Sequence, residues 1–425
     1  MIDGMGSYDA KSSGHRLLSR GRKFTIMVAR RSLCLNLYTL LCIISMLFFP
    51  GCSHRTIEKG TPFVERISLT EIPAIDDDKD LTSFKTAIER SLTFFGRIPG
   101  DRVFSLGDLP IPAKIIKESL LHLLKLIESG HLNREDIDKA FNVYRYRTIG
   151  SPAELLVTGY YEPILQAGLE PDRKFRYPVY GMPPDILEIE LSAFDPDRFA
   201  GEHLVGRLQG NRVVPYYSRA EIDGQGKLAK AACELAWLED PVDVFFLQVQ
   251  GSGILKLRDG RQLRIGYAGA NGRPYKSVGK YLIEKGIMTS EEVSLQSIRS
   301  YLKTHPEVRD EVLWYNESYV FFRWVAEGPM GSINVPLTAG RSIATDSKYY
   351  PRGAPGFLVS EEPELDASGA VVGWKPLRRW VLNQDTGGAI KGPGRVDLFC
   401  GSGETAERVA GRLKHPGALY IFVKK

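Results

Sequence analysis

The apolar positions of this chain change their period near residue 155. Before it, Phe84, Ala87, Ile88, Leu92 and Phe95 recur three and four apart, and KIIKESLLHLLKLIESG carries a second such stripe that stops at Gly130. A period near 3.6 residues predicts two amphipathic helices, with His122 an ordinary position on the second. After residue 155 the texture turns to short apolar runs broken by turn residues. VDVFFLQV (242–249), largely apolar, predicts a buried strand, on which Gln248 and Gln250 would share one side. ILKLRDGRQLRIGYA alternates about Asp259-Gly260 and predicts a hairpin closed by a type I′ turn.

Two further helices are predicted in KSVGKYLIEKG and in a segment from Thr289. There TSEE offers a capping box and Leu295, Ile298 and Leu302 form the face. The last hundred residues return to strands, with one helix (ETAERVAGRLK) ahead of a closing strand, ALYIFVKK. There is no internal repeat and no low-complexity tract. Helices first and strands later predict an α+β chain with barrel-like sheets rather than alternating βαβ units.

Composition changes this picture at one end only. With 425 residues, 43% hydrophobic and 25% charged, the chain is an ordinary globular one with room for two or more domains. Its formal charge of +5 sits wholly in residues 1–31, which hold seven Lys/Arg against two Asp. From Cys52 onward the charges cancel, which removes the main support for nucleic-acid binding.

The basic start precedes LCLNLYTLLCIISMLFFPGC, an uncharged run with the length of a secretory signal core. FPGC resembles a bacterial lipoprotein signal, with Pro50 an irregular choice, and cleavage there would leave Cys52 as a lipidated N-terminus. The alternative is an uncleaved membrane anchor, and both place the body outside the cytoplasm. Residues 1–51 are thus expected to be a leader, with Met27 a more usual start, and residues 52–61 a tether. Ser53 after the cysteine favours the outer membrane, facing the periplasm. Cys233 and Cys400 allow at most one bridge. The scattered histidines, without HExxH or CxxC, predict no metal and no cofactor.

The candidate chemistry is concentrated in QDTGGAIKGPGRVDLFCGSG, residues 384–403, together with Asp346 in AGRSIATDSKYYPRG. Singly, Asp346 could open a turn, Asp385 could form an Asx-turn, and Asp397 could pair with Arg395. Asp397, however, lies within apolar VDLF, where a carboxylate is expensive unless partnered. Desolvation would raise its pKa and let it hold a proton for donation, as a general acid on a glycosidic oxygen must. The surrounding glycines would clear a groove for a bulky polymer. DTGGA also resembles the aspartic-protease signature, but Asp346 is followed by Ser-Lys-Tyr, so the second copy that such an enzyme needs is missing.

Four segments carry a wider resemblance. They are VTGYYEPILQAG with FRYPVYGMP downstream, PYYSRAEID, FFLQVQGSGILKLRDGRQLRIGYAGANGRPYKSVGKYLI, and VPLTAGRSIATD with QDTGGAIKGPGRVDLFCG. On these the chain resembles the membrane-bound lytic murein transglycosylase A (MltA) family over nearly all of its body. GPGRVD is one residue longer than the family spacing, which shifts the loop and removes neither aspartate.

The resemblance implies a mainly β fold with N-terminal helices. Residues 62–157 with 329–425 would form a double-psi β-barrel domain, and residues 158–328 an inserted second β-barrel domain. Glycan strands of peptidoglycan would lie between them. It further implies Asp397 as the single catalytic residue, Asp385 and Asp346 as supporting residues, and Thr158, Tyr160, Tyr161, Gln248, Gln250 and Ser252 as groove lining. Asp397 would protonate the oxygen between N-acetylmuramic acid and N-acetylglucosamine, then take the proton of the muramyl C6 hydroxyl as that hydroxyl closes on C1. The product would be a 1,6-anhydromuramyl end, formed without water.

The paired tyrosines 160–161, 216–217 and 349–350 could cover sugar faces, although tyrosine is also a common strand residue. A lipid anchor would keep the enzyme near its polymer, and a cell-wall synthesis complex would be a further partner. Two other classes stay open: a hydrolase using Asp385 and Asp397 as a pair, and a non-catalytic wall-binding lipoprotein.

Overall fold

The computed structural model describes residues 62–148, 155–199, 202–231 and 233–425. The leader, Cys52 and the tether lie outside the described residues. The N-terminal part runs β1 (Pro62–Ile67), α1 (Thr82–Phe95), a hairpin of β2 (Val103–Leu106) and β3 (Leu109–Pro112), α2 (Ala113–Glu128), α3 (Arg134–Ala140), β4 (Phe141–Thr148) and β5 (Leu155–Glu162). The two stripes read from the sequence are the buried faces of α1 and α2: Phe84, Ala87, Ile88 and Phe95 on the first, Ile116, Leu120, Leu123 and Leu126 on the second. Gly130, with φ of 73°, takes the left-handed conformation just beyond the end of α2, where a side chain would be strained.

The middle part begins with β6 (Ile164–Gly168), β7 (Tyr177–Tyr180), β8 (Leu187–Glu190), β9 (His203–Gln209), β10 (Arg212–Pro215) and β11 (Glu234–Leu238). It continues through α4 (Pro241–Gln250), β12 (Ser252–Lys256), β13 (Gln262–Ala270), α5 (Val278–Glu284), α6 (Leu295–Thr304), α7 (Pro306–Trp314) and β14 (Val320–Val325). The chain then returns through β15 (Ser342–Ala344), β16 (Pro355–Leu365), β17 (Val371–Asp385), β18 (Arg395–Ser402), α8 (Gly403–Ala410) and β19 (Lys414–Lys424).

Two closed rings result, and the molecule is mainly β. In the first, the order β5-β18-β15-β17-β16-β19 closes because β19 also pairs with β5, while β4 and β1 extend the sheet from β19. The pairs β5/β18 and β15/β17 are parallel. Trp380 is buried at its centre, with Phe84, Phe357 and Phe422 packed against its ring. In the second, β14-β13-β12-β6-β11-β7 is joined end to end by a bridge between Gly181 and Phe322, around Ala167, Val179, Leu255, Ile265 and Phe322. The chain passes between rings at Glu162-Pro163. Glu162 is fully buried there, accepting hydrogen bonds from Arg264 Nε (2.9 Å) and Nη2 (3.2 Å) and from the Ser402 hydroxyl (2.6 Å).

Local expectations fail in three places, each for a physical reason. Residues 242–249 form helix α4, not a strand. Asp240 caps it by accepting from Val242 N–H (2.9 Å), Pro241 starts it, and Gly251 (φ 77°) ends it. Its apolar positions show no one-sided stripe because the helix is buried on two sides, with Val244 and Leu247 against the second ring and Val242, Phe245 and Phe246 against α5 to α7. Gln248 and Gln250 therefore do not share a strand face.

The hairpin at Asp259-Gly260 exists, but Gly260 alone has positive φ, so the turn is not type I′. Gly260 N–H donates to Leu257 O and Leu257 N–H to Arg261 O, the pattern of a three-residue turn with a glycine bulge. The Thr289–Glu292 reciprocal bonds form, but the helix they were expected to start begins only at Leu295, behind its own Ser294–Ser297 box. Cys233 and Cys400 are both free.

Candidate active site

A cleft of about 490 Å3 opens between the two rings. Its first wall follows from strand register. Asp385 in β17 pairs with Ala344 in β15, Ala344 with Asp397 in β18, and Asp397 with Thr158 in β5. Four neighbouring strands thus bring these residues into one row, with the small Ala344 between the two carboxylates. Residues two apart on a strand share a side, which sets Arg395 beside Asp397 and Tyr160 beside Thr158.

The two carboxylates are held differently. Asp385 Oδ1 accepts from the backbone N–H of Ser332 (3.0 Å) and Thr386 (2.9 Å), and Oδ2 from the Tyr160 hydroxyl (3.0 Å). Burial outweighs these bonds and pushes its pKa up to about 6. The same burial, with the Asp385 charge, holds the Tyr160 hydroxyl well above its ordinary value.

Asp397 is held by side chains alone. Arg395 grips it with Nε on Oδ1 (2.8 Å) and Nη2 on Oδ2 (2.9 Å), and the Thr158 hydroxyl donates to Oδ1. Asp397, only 9% exposed, has the guanidinium of its own strand as its partner, the pairing with Arg395 that the sequence leaves open.

The opposite wall comes from α4 and the loops around α5 and α7. Gln248 and Gln250 both border the cleft. Gln250 Oε1 accepts from Tyr161 N–H (3.0 Å), tying α4 to β5. Gln248 is 4% exposed, and among the described residues its Oε1 has no partner, an arrangement that costs about 1–3 kcal/mol unless a ligand or water fills it. Arg219 lies beneath, 2% exposed, donating to Asn316 O (3.0 Å) and Ser318 O (2.6 Å), with its cation over Phe245 and Tyr319. It fixes the two loop carbonyls beside the cleft.

Four expected residues are not part of the cleft lining: Thr158 stands in the row and bonds Asp397 from behind it, and the other three stand elsewhere. Tyr161 points away from the cleft into a small core with Ala406 and Ala410. Ser252 is buried at the start of β12 and does not border the cleft. Asp346 sits behind the loop 386–394 and holds it by accepting from Gly392 N–H (2.8 Å), alongside a bond from the Tyr350 hydroxyl to Pro393 O (2.8 Å). Of the paired tyrosines only Tyr160 lines the cleft, and of the glycines only Gly159, Gly387 and Gly388 do. The sequence reading did not single out Arg219, Tyr275, Asn316 or Ser318 as lining residues. Arg219 and Tyr275 lie inside segments quoted above, and a lone arginine in PYYSRAEID was the available signal.

Comparison with known proteins gives concordant results. The MltA specific insert domain matches residues 156–323, and the 3D domain residues 341–423. The membrane-bound lytic murein transglycosylase A of Vibrio cholerae is 35% identical over 269 residues. That alignment takes in 63% of this chain and 64% of the relative, so the chain spans less than two thirds of this curated protein's length. A crystal structure of membrane-bound lytic murein transglycosylase from Agrobacterium tumefaciens is similar with a TM-score of 0.71 and 32% identity, over 85% of this chain and 97% of that one. The structure of Escherichia coli MltA with bound chitohexaose gives 0.62 and 25%, over 86% and 95%.

Proposed function

This chain belongs to the membrane-bound lytic murein transglycosylase A family, and from that premise we propose that it cleaves the glycan strands of peptidoglycan between N-acetylmuramic acid and N-acetylglucosamine, leaving 1,6-anhydromuramyl ends. Asp397 acts twice. Protonated, it donates to the glycosidic oxygen as the C1–O bond breaks; as a carboxylate, it takes the proton of the muramyl C6 hydroxyl as that oxygen bonds to C1. The proton is returned and no water is consumed. Tethering the nucleophile on the sugar makes the attack unimolecular.

The observation that carries this reading is the unequal tethering of the two carboxylates. Asp385 is fixed by two backbone N–H groups and the Tyr160 phenol, as suits a residue that shapes the site. Asp397 is held only by side chains that can turn away. Asp385 and Tyr160 then act as supporting residues, Asp346 supports the loop between the aspartates, and Thr158, Gln248 and Gln250 contact the glycan. The bound chitohexaose of the Escherichia coli relative supports a glycan as ligand. The two domains are residues 62–157 with 329–425, carrying Asp397, and an inserted 158–328, with the end of β5 (158–162), including Thr158 and Tyr160, staying on the wall of the first ring. We also propose Cys52 as the lipidated residue of a signal-bearing outer-membrane lipoprotein facing the periplasm, in keeping with relatives named membrane-bound.

One observation favours a second reading. A carboxyl raised to about 6 beside another, with one strand between them, would suit an acid and base acting across a bond. One intervening strand separates their backbones by about 10 Å. Digestion of purified sacculi tests between them. Anhydro ends identified by mass spectrometry support the transglycosylase; reducing ends support the hydrolase; binding without release supports a wall-binding protein.

A further inference from the structure

A carboxylate whose two oxygens accept from a guanidinium and a hydroxyl is arranged to receive a proton, not to give one. Asp397 is in that arrangement. It matches the second half of the proposed reaction, so something must draw Arg395 away before the first half. Asp385 stands two strands from β18, held there by Ser332, Thr386 and Tyr160, and makes no contact with Arg395 among the described residues.

Arg395 is suited to move. It starts β18 directly after the loop 386–394, its side chain is 34% exposed, and among the described residues its Nη1 meets no partner. The cleft lining contains one other cation, Arg219, which is buried with its donors committed to Asn316 and Ser318. An anion entering the cleft therefore meets Arg395. Each muramyl unit carries such an anion, either the lactyl carboxylate itself or carboxylates of the peptide attached to it. Chitin-type strands carry none.

Resting on the function proposed above, we infer that Arg395 is a specificity switch: a carboxylate of the muramyl unit takes its guanidinium from Asp397, and the freed Asp397 takes up a proton from solvent, which it then donates to the glycosidic oxygen. Strand binding and arming of the acid become one event, and a glycan without carboxylates occupies the cleft without being cut. The exchange trades one bidentate ion pair for another, so it requires no external energy.

The test uses four glycans: peptide-stripped strands with the lactyl carboxylate free or amidated, and peptide-bearing strands with stem carboxylates free or amidated. For the wild type, kcat for anhydro-end formation is expected to be at least about tenfold higher on the carboxylate form of one pair, with KM changing less. The pair that responds identifies whether the lactyl group or the stem is sensed. Arg395→Met, checked for an unchanged melting temperature, is expected to cut free and amidated strands within about twofold of each other, and Arg395→Lys to keep part of the preference. Equal wild-type kcat on both members of both pairs, or a preference undiminished in Arg395→Met, would overturn the switch while leaving the cleavage reading intact. Absence of anhydro ends from every glycan would overturn both.

Discussion

The two walls of the cleft are built from different chemistry. The first-ring wall holds Asp385, Asp397, Arg395, Tyr160 and Thr158, and each of these side chains is bonded to another in the group. The wall from the second ring presents neutral amides, hydroxyls and an aromatic ring: Gln248, Gln250, Asn316, Ser318 and Tyr275, over the buried Arg219. The charged side chains thus sit on four adjacent strands whose register fixes them to one row, while the neutral polar groups sit on a helix and loops. Strands of one closed ring cannot slide singly without moving every side chain to the other face. Substitutions on the first wall should therefore act on kcat, and those on the second on KM or stability.

Asp397→Asn should break the first wall most severely. An amide keeps the shape but cannot shuttle a proton, so kcat should fall by about 10²–10⁴-fold with KM nearly unchanged, read from anhydro-end formation on sacculi. Next comes the support of the second wall. Arg219→Met would leave the carbonyls of Asn316 and Ser318 without their donors, and the melting curve should report a loss of about 3 kcal/mol.

Asp385 sharpens the comparison through pH. Its folded pKa of about 6 lies above the ordinary 3.8, so the folded chain holds this proton more tightly than the unfolded chain does. Stability is therefore lost as pH rises from the unfolded value through about 6, and the loss is complete above that. Partial access to solvent limits it to about 2 kcal/mol. Urea unfolding at acid and neutral pH should show this slope in the wild type and its absence in Asp385→Asn. The smallest effect is expected at Gln248. Gln248→Ala should raise KM about fivefold while changing stability by less than about 1 kcal/mol, because the lost contacts are offset by removal of an unpaired oxygen.

The sequence made the helices α1, α2 and α8 and the 252–270 hairpin legible because their periods are clean. It misled at 242–249, where burial on two sides erased the helical period and only Asp240-Pro241 and Gly251 recorded the true boundaries. The three aspartates were legible from their unusual surroundings. Their electrical roles were not, because what sets them acts across strands: Ser332 and Tyr160 reach Asp385 from distant segments, and the β15 register puts Ala344 between the carboxylates. The Arg395 pairing was local and visible as a simple alternative. Arg219 lies inside PYYSRAEID but carries no periodic signal, since its bonds go to carbonyls nearly a hundred residues away.

The single-acid mechanism is tested most directly by digesting sacculi with equal amounts of wild type and Asp397→Asn, both confirmed folded, and identifying the muropeptide ends by mass spectrometry over time. Wild type should release ring-closed 1,6-anhydromuramyl ends and the variant essentially none. Release of such ends by the variant at the wild-type rate, or reducing ends from the wild type, would contradict it.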